Sequence, residues 1–216
     1  MTQPDFMRSI RAVAAMLNDG GILQQTYTTS SLQPSAEFAA YAMSVNPEYK
    51  ELYRTGLRNR DYNFLLTDYS FLQFYRHSEG DELSMRFAYY ANPFITTSLD
   101  EVFALYDGAD YELYLQLLEE TDERGDALAI RYEVATRDYV ELRHPTAHFH
   151  IGLNEGRWPM DKILSPKAFT MFIAKLFYSS SWNENSDEQL TVEKQSCEVL
   201  ANTLFSLRDR SHFYVT

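Results

Sequence analysis

The stretches ALAIRYEVA (127–135) and HPTAHFHIGL (144–153) decide the fold of this chain. In the first, Ile130, Tyr132 and Val134 alternate with Arg131 and Glu133. In the second, Ala147, Phe149 and Ile151 alternate with His148 and His150. Side chains two positions apart in a strand share a face, so each stretch reads as a strand with one apolar and one polar side. Upstream, residues 62–67, 70–77 and 82–92 repeat the period of two with many aromatics. They are separated by Asp68-Tyr69 and by residues 78–81, both with turn chemistry. Connections this short join antiparallel neighbours. Pro93 cannot donate to a ladder and closes the third strand.

Helical spacing flanks these strands. Phe6, Ile10, Val13 and Leu17 predict a helix over 3–18, with Gly20 and Gly21 at its C-terminal cap. Residues 22–29 read as a short extended piece. Ser35 precedes a second helix carrying Phe38 and Tyr41, and Pro47 opens a third reaching Arg58. Residues 97–124 predict two acidic helices inserted after the third strand. Ser165-Pro166 marks a helix start, with serine as cap and proline in the first turn. Leu190, Cys197, Leu200, Leu204 and Leu207 predict a last helix over 187–207, and 212–216 a terminal strand. The expected architecture is α+β: one domain over 1–216 with a central antiparallel sheet of five to six strands. Its N-terminal part (1–60) is helical, 61–178 forms the sheet core, and 185–208 the C-terminal helix.

The chain has 216 residues, 19 basic and 31 acidic, for a formal charge of −12. Aromatics at 15% and apolar residues at 45% exclude intrinsic disorder. No apolar run is long enough for a membrane helix, and the N-terminus lacks a signal peptide's pattern, so a cytoplasmic location is expected. One cysteine excludes a disulfide framework. Residues 98–126 hold ten acids against Arg124, a net of −9. That block repels phosphates, and no Lys/Arg cluster offsets it, so direct DNA binding is not expected. It reads as a solvated helix face, a docking surface for a basic partner, or a mimic of phosphate charge.

Phosphate-binding glycine loops, nucleophile elbows, HExxH helices and dinucleotide fingerprints are missing. No cofactor and no metal is assigned. The one polar constellation with chemistry is His148 and His150 on a shared strand face, with Arg131 beside them. Two such imidazoles can serve as acid and base at a phosphodiester, with Arg86, Arg131 or Arg157 binding the anion. They can also ligate a metal given a third ligand, Glu133 or His144. The bland alternative is the polar side of an amphipathic sheet, with Arg86 and Arg131 in ion pairs to Glu133, Asp68 or Asp138. Tyr89, Tyr90, Phe94, Trp158 and Tyr178 read as core aromatics.

MRFAYYANPF (85–94), IRYEV (130–134), LRHPTAHFHIG (142–152) and GRWPMDKILSPKAFTMFIAKLFY (156–178), preceded by DYSFLQF (68–74), resemble in order the bacterial family called domain of unknown function 2290. The chain departs from the family's pattern after Arg131, where Glu133 keeps the first of two acids and the second is lost, and at Gly156, where a cysteine is lost. The resemblance implies a cytoplasmic bacterial protein encoded among phage-defence or mobile-element genes, and implies no reaction. Two functions are therefore expected in competition. One is a non-catalytic subunit docking to a larger ATPase or nuclease encoded nearby, with self-association left open. The other is a His-dependent phosphodiesterase or ribonuclease toxin using His148, His150 and Arg131, with Arg86, Glu133, His144 and Arg157 lining the site.

Overall fold

A computed structural model describes residues 1–44, 47–94, 127–153, 156–179, 198–201 and 203–213. The fold is mixed α+β around a seven-stranded antiparallel sheet. Its strands are β1 (Leu23–Thr26), β2 (Phe64–Leu66), β3 (Phe71–Glu79), β4 (Glu82–Tyr90), β5 (Ala129–Ala135), β6 (Ala147–Ile151) and β7 (Trp158–Met160). They lie side by side in chain order, a pure meander one strand larger than the upper expectation. A separate two-stranded ribbon joins β8 (Lys162–Ile163) to β9 (Glu198–Val199).

The alternation seen in the sequence becomes two layers. Leu72, Phe74, Met85, Phe87, Tyr89, Ile130, Tyr132, Val134, Ala147 and Phe149 share one face and form the main core. Helices α1 (Gln3–Asp19) and α4 (Pro166–Phe177) cover it, through Phe6, Ile10, Val13, Phe169 and Ile173. Rings run across the strands from Phe74 to Phe87 (5.5 Å), to Tyr132 (5.7 Å) and to Phe149 (5.1 Å). Contacts of this kind add about 0.5–1.5 kcal/mol each beyond area burial. Both covering helices start as their sequences dictate. Thr2 and Ser165 accept from the backbone N–H groups of Asp5 and Ala168, each with proline in the first turn. Gly21, not Gly20, takes the left-handed conformation after α1 (φ 67°).

The opposite face is divided. Over β2 to β4, helices α2 (Ala36–Ala42) and α3 (Tyr49–Arg58) pack Phe38, Leu52, Tyr53 and Leu57 on Leu65, Phe71, Ala88 and Tyr90. The approach is close enough that a Cβ on Gly56 would lie 2.6 Å from the Phe71 ring. Over β4 to β6 the same face turns polar.

The C-terminal expectations need correction. Glu198–Val199 is a strand, and helix α5 begins only at Leu207 and runs to Phe213, so neither a continuous helix over 187–207 nor a strand starting at His212 is formed. Leu200 points into the main core while its N–H bonds Asp161 O, so the leucine spacing reports burial by a ribbon and a turn. The acidic block 98–126, the helices expected over 97–124 and Cys197 lie outside the described residues.

Asp209 of α5 ties this end to the connection between β5 and β6. Its carboxylate accepts from Tyr139 Oη (2.7 Å), Leu142 N (2.8 Å) and Ser206 N (2.8 Å). Leu142 sits in the left-handed region (φ 61°), a conformation costly for a branched side chain and held here by that bond. Asp209→Ala leaves three half-buried donors unmatched and is expected to cost about 2–3 kcal/mol, read as a fall in melting temperature of roughly 5–10 °C. An unchanged melting temperature would show that the connection holds its shape without α5.

Candidate functional site

Antiparallel registers place residues of four strands in rows across the sheet. Tyr75 lies opposite Arg86, Arg86 opposite Glu133, and Glu133 opposite His148. In the next row Gln73 faces Ala88, Ala88 faces Arg131, and Arg131 faces His150. Every one of these side chains projects to the face opposite the main core, because its neighbours in sequence fill that core on the other side.

The two imidazoles meet. His148 Nε2 and His150 Nε2 are 3.0 Å apart. Glu133 Oε2 lies 3.7 Å from His150 Nε2 and 4.0 Å from His148 Nε2. The rings are 1% and 5% exposed, whereas the Glu133 side chain keeps 29%. The tautomer of His148 follows from its other nitrogen. Nδ1 stands 3.0 Å from Pro145 O, and a carbonyl only accepts, so Nδ1 carries the proton and Nε2 presents a lone pair. Burial, and then the nearby His150, lower the His148 pKa to about 4, so this ring is neutral at physiological pH. Burial pushes the Glu133 carboxyl up, but His150 and the guanidinium charges of Arg131 and Arg86 outweigh it and hold it at about 2. The center therefore presents one carboxylate and at least one imidazole lone pair.

Arg131 Nη1 is 3.8 Å from Glu133 Oε1, a loose ion pair, and its buried Nε has no partner. Buried His150 Nδ1 and His144 Nδ1 are also unpartnered. His144 packs edge-on against His148 at 5.4 Å between centroids, at the margin of the cluster. Arg86 makes no hydrogen bond or ion pair among the described residues. It lines, with Gln33, Tyr75, Ser84, Glu133 and Asp138, a cleft of about 280 Å³. Arg157 is exposed just before β7 and joins none of these contacts.

The sequence thus located His148, His150, Glu133, Arg131 and Arg86 on one face, and the structure brings the first four into contact with Arg86 at the adjoining cleft. Asp68 is not a partner of either arginine; it accepts from Tyr178 Oη (2.9 Å) and Ser70 Oγ (3.0 Å). The five aromatics taken as one cluster divide: Tyr89 and Tyr178 join through their hydroxyls at 3.2 Å, Tyr90 packs under α2, and Trp158 is exposed. Tyr75 was missed, although it follows Gln73 on the polar side of β3 and the period of two could have found it. The Pro145 carbonyl carries no sequence signal.

The profile of the family described as "Uncharacterized conserved protein (DUF2290)" matches residues 35–215, and the chain belongs to that family. No curated protein and no solved structure matches it. Among the described residues, no helix is long and apolar enough to cross a membrane.

A depressed histidine pKa has a signed consequence. The unfolded chain takes up the His148 proton near pH 6.5, whereas the folded chain resists it down to about pH 4. The contribution to stability is complete above pH 6.5 and lost as pH falls toward 4, on the order of 3 kcal/mol over that window. Denaturant titrations of chelator-treated protein across pH 4–7 measure it. Ring ¹⁵N shifts should show the neutral Nδ1–H tautomer of His148 at pH 6; a charged ring there would contradict the assignment.

Proposed function

We propose that this chain is a phosphodiesterase whose reaction center is the cluster Glu133, His148, His150 and Arg131, with the cleft beside Arg86 admitting the substrate. The observation that carries this reading is the contact of both imidazole Nε2 atoms with each other and their approach to one ionised carboxylate. A carboxylate and an imidazole lone pair gathered at one point are what an attacking water needs to lose its proton. Arg86, with no ion pair among the described residues, and Arg131, with an unpartnered Nε, offer cationic donors to the phosphoryl oxygens as charge develops on them. A net charge of −12 opposes binding along a nucleic-acid backbone, and the cleft is small for a ligand pocket. Both favour a substrate that presents a single phosphodiester.

The competing reading is a non-catalytic subunit of a bacterial defence or mobile-element system that docks to a larger partner. It is favoured by an exposed apolar patch around Phe149. Phe172 stacks near that ring at 5.2 Å, Trp158 lies opposite it in register, and Ile151 follows two positions on. Trp158 and Ile151 are 64% and 62% exposed. Patches of this type mark interaction sites on many soluble proteins. They are also compatible with a hydrolase, so the polar cluster decides the ranking.

Purified chain is expected to hydrolyse an activated diester such as bis(p-nitrophenyl) phosphate. Glu133→Gln should lower kcat by roughly 100-fold or more, and Arg86→Met should raise KM with a smaller effect on kcat. Both positions are half-buried, which keeps folding separable from activity by circular dichroism. A wild-type chain inactive on this diester and on RNA oligonucleotides would sink the hydrolytic reading and promote the docking one.

A further inference from the structure

We propose that Glu133, His148 and His150 bind one divalent transition-metal ion of the zinc class, through the carboxylate Oε2 and the two imidazole Nε2 atoms. These three ligand atoms all lie within 4.8 Å of one another. Their separations are 3.0, 3.7 and 4.0 Å. Bonds of 2.0–2.1 Å in a tetrahedral shell put ligand atoms roughly 3.3 Å apart. The separations therefore depart from a chelating geometry by about 0.3 to 0.7 Å, a gap that small side-chain rotations can close.

The same distances argue against the use of the pair as a separated acid and base. A phosphoryl group placed between two catalytic imidazoles needs room for phosphorus and its oxygens, and 3.0 Å between nitrogens leaves none. Two lone pairs that close repel unless a proton or a cation lies between them. His148 Nε2 is fixed as a lone pair by the Pro145 carbonyl on Nδ1. That arrangement, a ring N–H given to a backbone carbonyl while the other nitrogen faces inward, is how ligating histidines are oriented in metal sites. Arg131 approaches Glu133 Oε1 and not Oε2, which leaves the second oxygen turned to the rings.

Donor chemistry narrows the ion. Two imidazoles and a carboxylate, with no thiolate, suit zinc, cobalt, nickel, iron(II) or manganese, and not calcium or copper(I). Glu133 also lines the cleft at Arg86, so a remaining coordination position can open toward solvent there. Three protein ligands with one open position is the pattern of catalytic sites, whereas structural zinc sites close their shell with a fourth residue. The inference stands on ligand geometry and does not depend on the hydrolytic reading.

The test uses the full chain, stripped with a chelator and dialysed. Zn²⁺ is titrated in competition with a chromophoric chelator, and Co²⁺ is added separately to read its visible absorption. One ion per chain is expected, with cobalt bands of a four- or five-coordinate site. His150→Ala and Glu133→Gln should each weaken Zn²⁺ by more than the roughly 10–100-fold that loss of an outer-shell partner costs. His77→Ala, at an exposed position on β3, should leave it unchanged. Glu133→Gln preserves volume at a half-exposed site, so its result stands even where a histidine variant fails to fold. No stoichiometric Zn²⁺ binding, or affinity unaltered by Glu133→Gln, overturns the proposal. Zn²⁺ bound one to one without diester hydrolysis leaves the ion in place and removes only the phosphodiesterase reading. Hydrolysis undiminished in a stripped chain that takes up no Zn²⁺ removes the ion and leaves that reading.

Discussion

The pairing register of β5 and β6 is the constraint on which the rest depends. With Val134 opposite Ala147 and Tyr132 opposite Phe149, the polar partners Glu133 with His148 and Arg131 with His150 follow without choice. A slip of one residue would turn the histidines into the aromatic core and Phe149 out among the arginines. The apolar face forbids it. Phe149 is held by Tyr132 at 5.1 Å, by Phe169 at 6.3 Å and by Phe172 at 5.2 Å, and none of these contacts survives a shift. Hydrophobic packing on one side of the sheet thus fixes polar geometry on the other to a precision that the polar groups could not impose on themselves.

The two halves of the polar-side face treat buried polar atoms differently. Toward β2 and β3 each has a structural duty. Asn63 donates to Thr28 O and Ser30 O and accepts from Phe74 N; Asp61 accepts from Ser35 N and Ser35 Oγ. Ser70 receives Asn92 N, and Asn92 in turn donates to Asp68 O. Toward β5 and β6, Arg131 Nε, His144 Nδ1 and His150 Nδ1 have no partner. Buried donors without acceptors cost about 1–3 kcal/mol each. Arg76 Nε on β3 is unmatched as well, but three such atoms gather at the histidine cluster, and that concentration marks a site arranged for something other than stability.

Much of this was legible in the sequence because long strands carry their own period. Residues 127–135 and 147–151 announced both faces, and Ser35 and Ser165 announced their helices. What the sequence concealed was short or indirect. A strand of two or three residues such as β7, β8 or β9 has no period to detect. Leu200 and Leu204 fit a helical stripe, yet they reach the core from a ribbon and a turn, because burial and not helicity set their spacing. At the site, residue types and face were readable, but the 3.0 Å meeting of the rings was not. It depends on the Pro145 carbonyl turning His148 and on Asp209 holding the preceding Leu142. Neither contact follows from a pattern in the chain.

Charge sets the last constraint on what the center can do. Arg86 and Arg131 are balanced in the cleft region by Glu133 and Asp138, and His148 is neutral, so these groups sum to zero inside a chain of −12. A neutral spot in so acidic a protein attracts anions weakly. A divalent ion on the three ligand atoms would turn that sum to +2 beside Arg86, which makes no ion pair among the described residues. Anion binding and ion binding are then one event. Such an ion would offset the repulsion between the His148 lone pair and the carboxylate, and its surplus charge would favour a phosphoryl group in the cleft. The chain's net charge of −12 would oppose longer polyanions in the same step, which favours a ligand that presents a single phosphodiester.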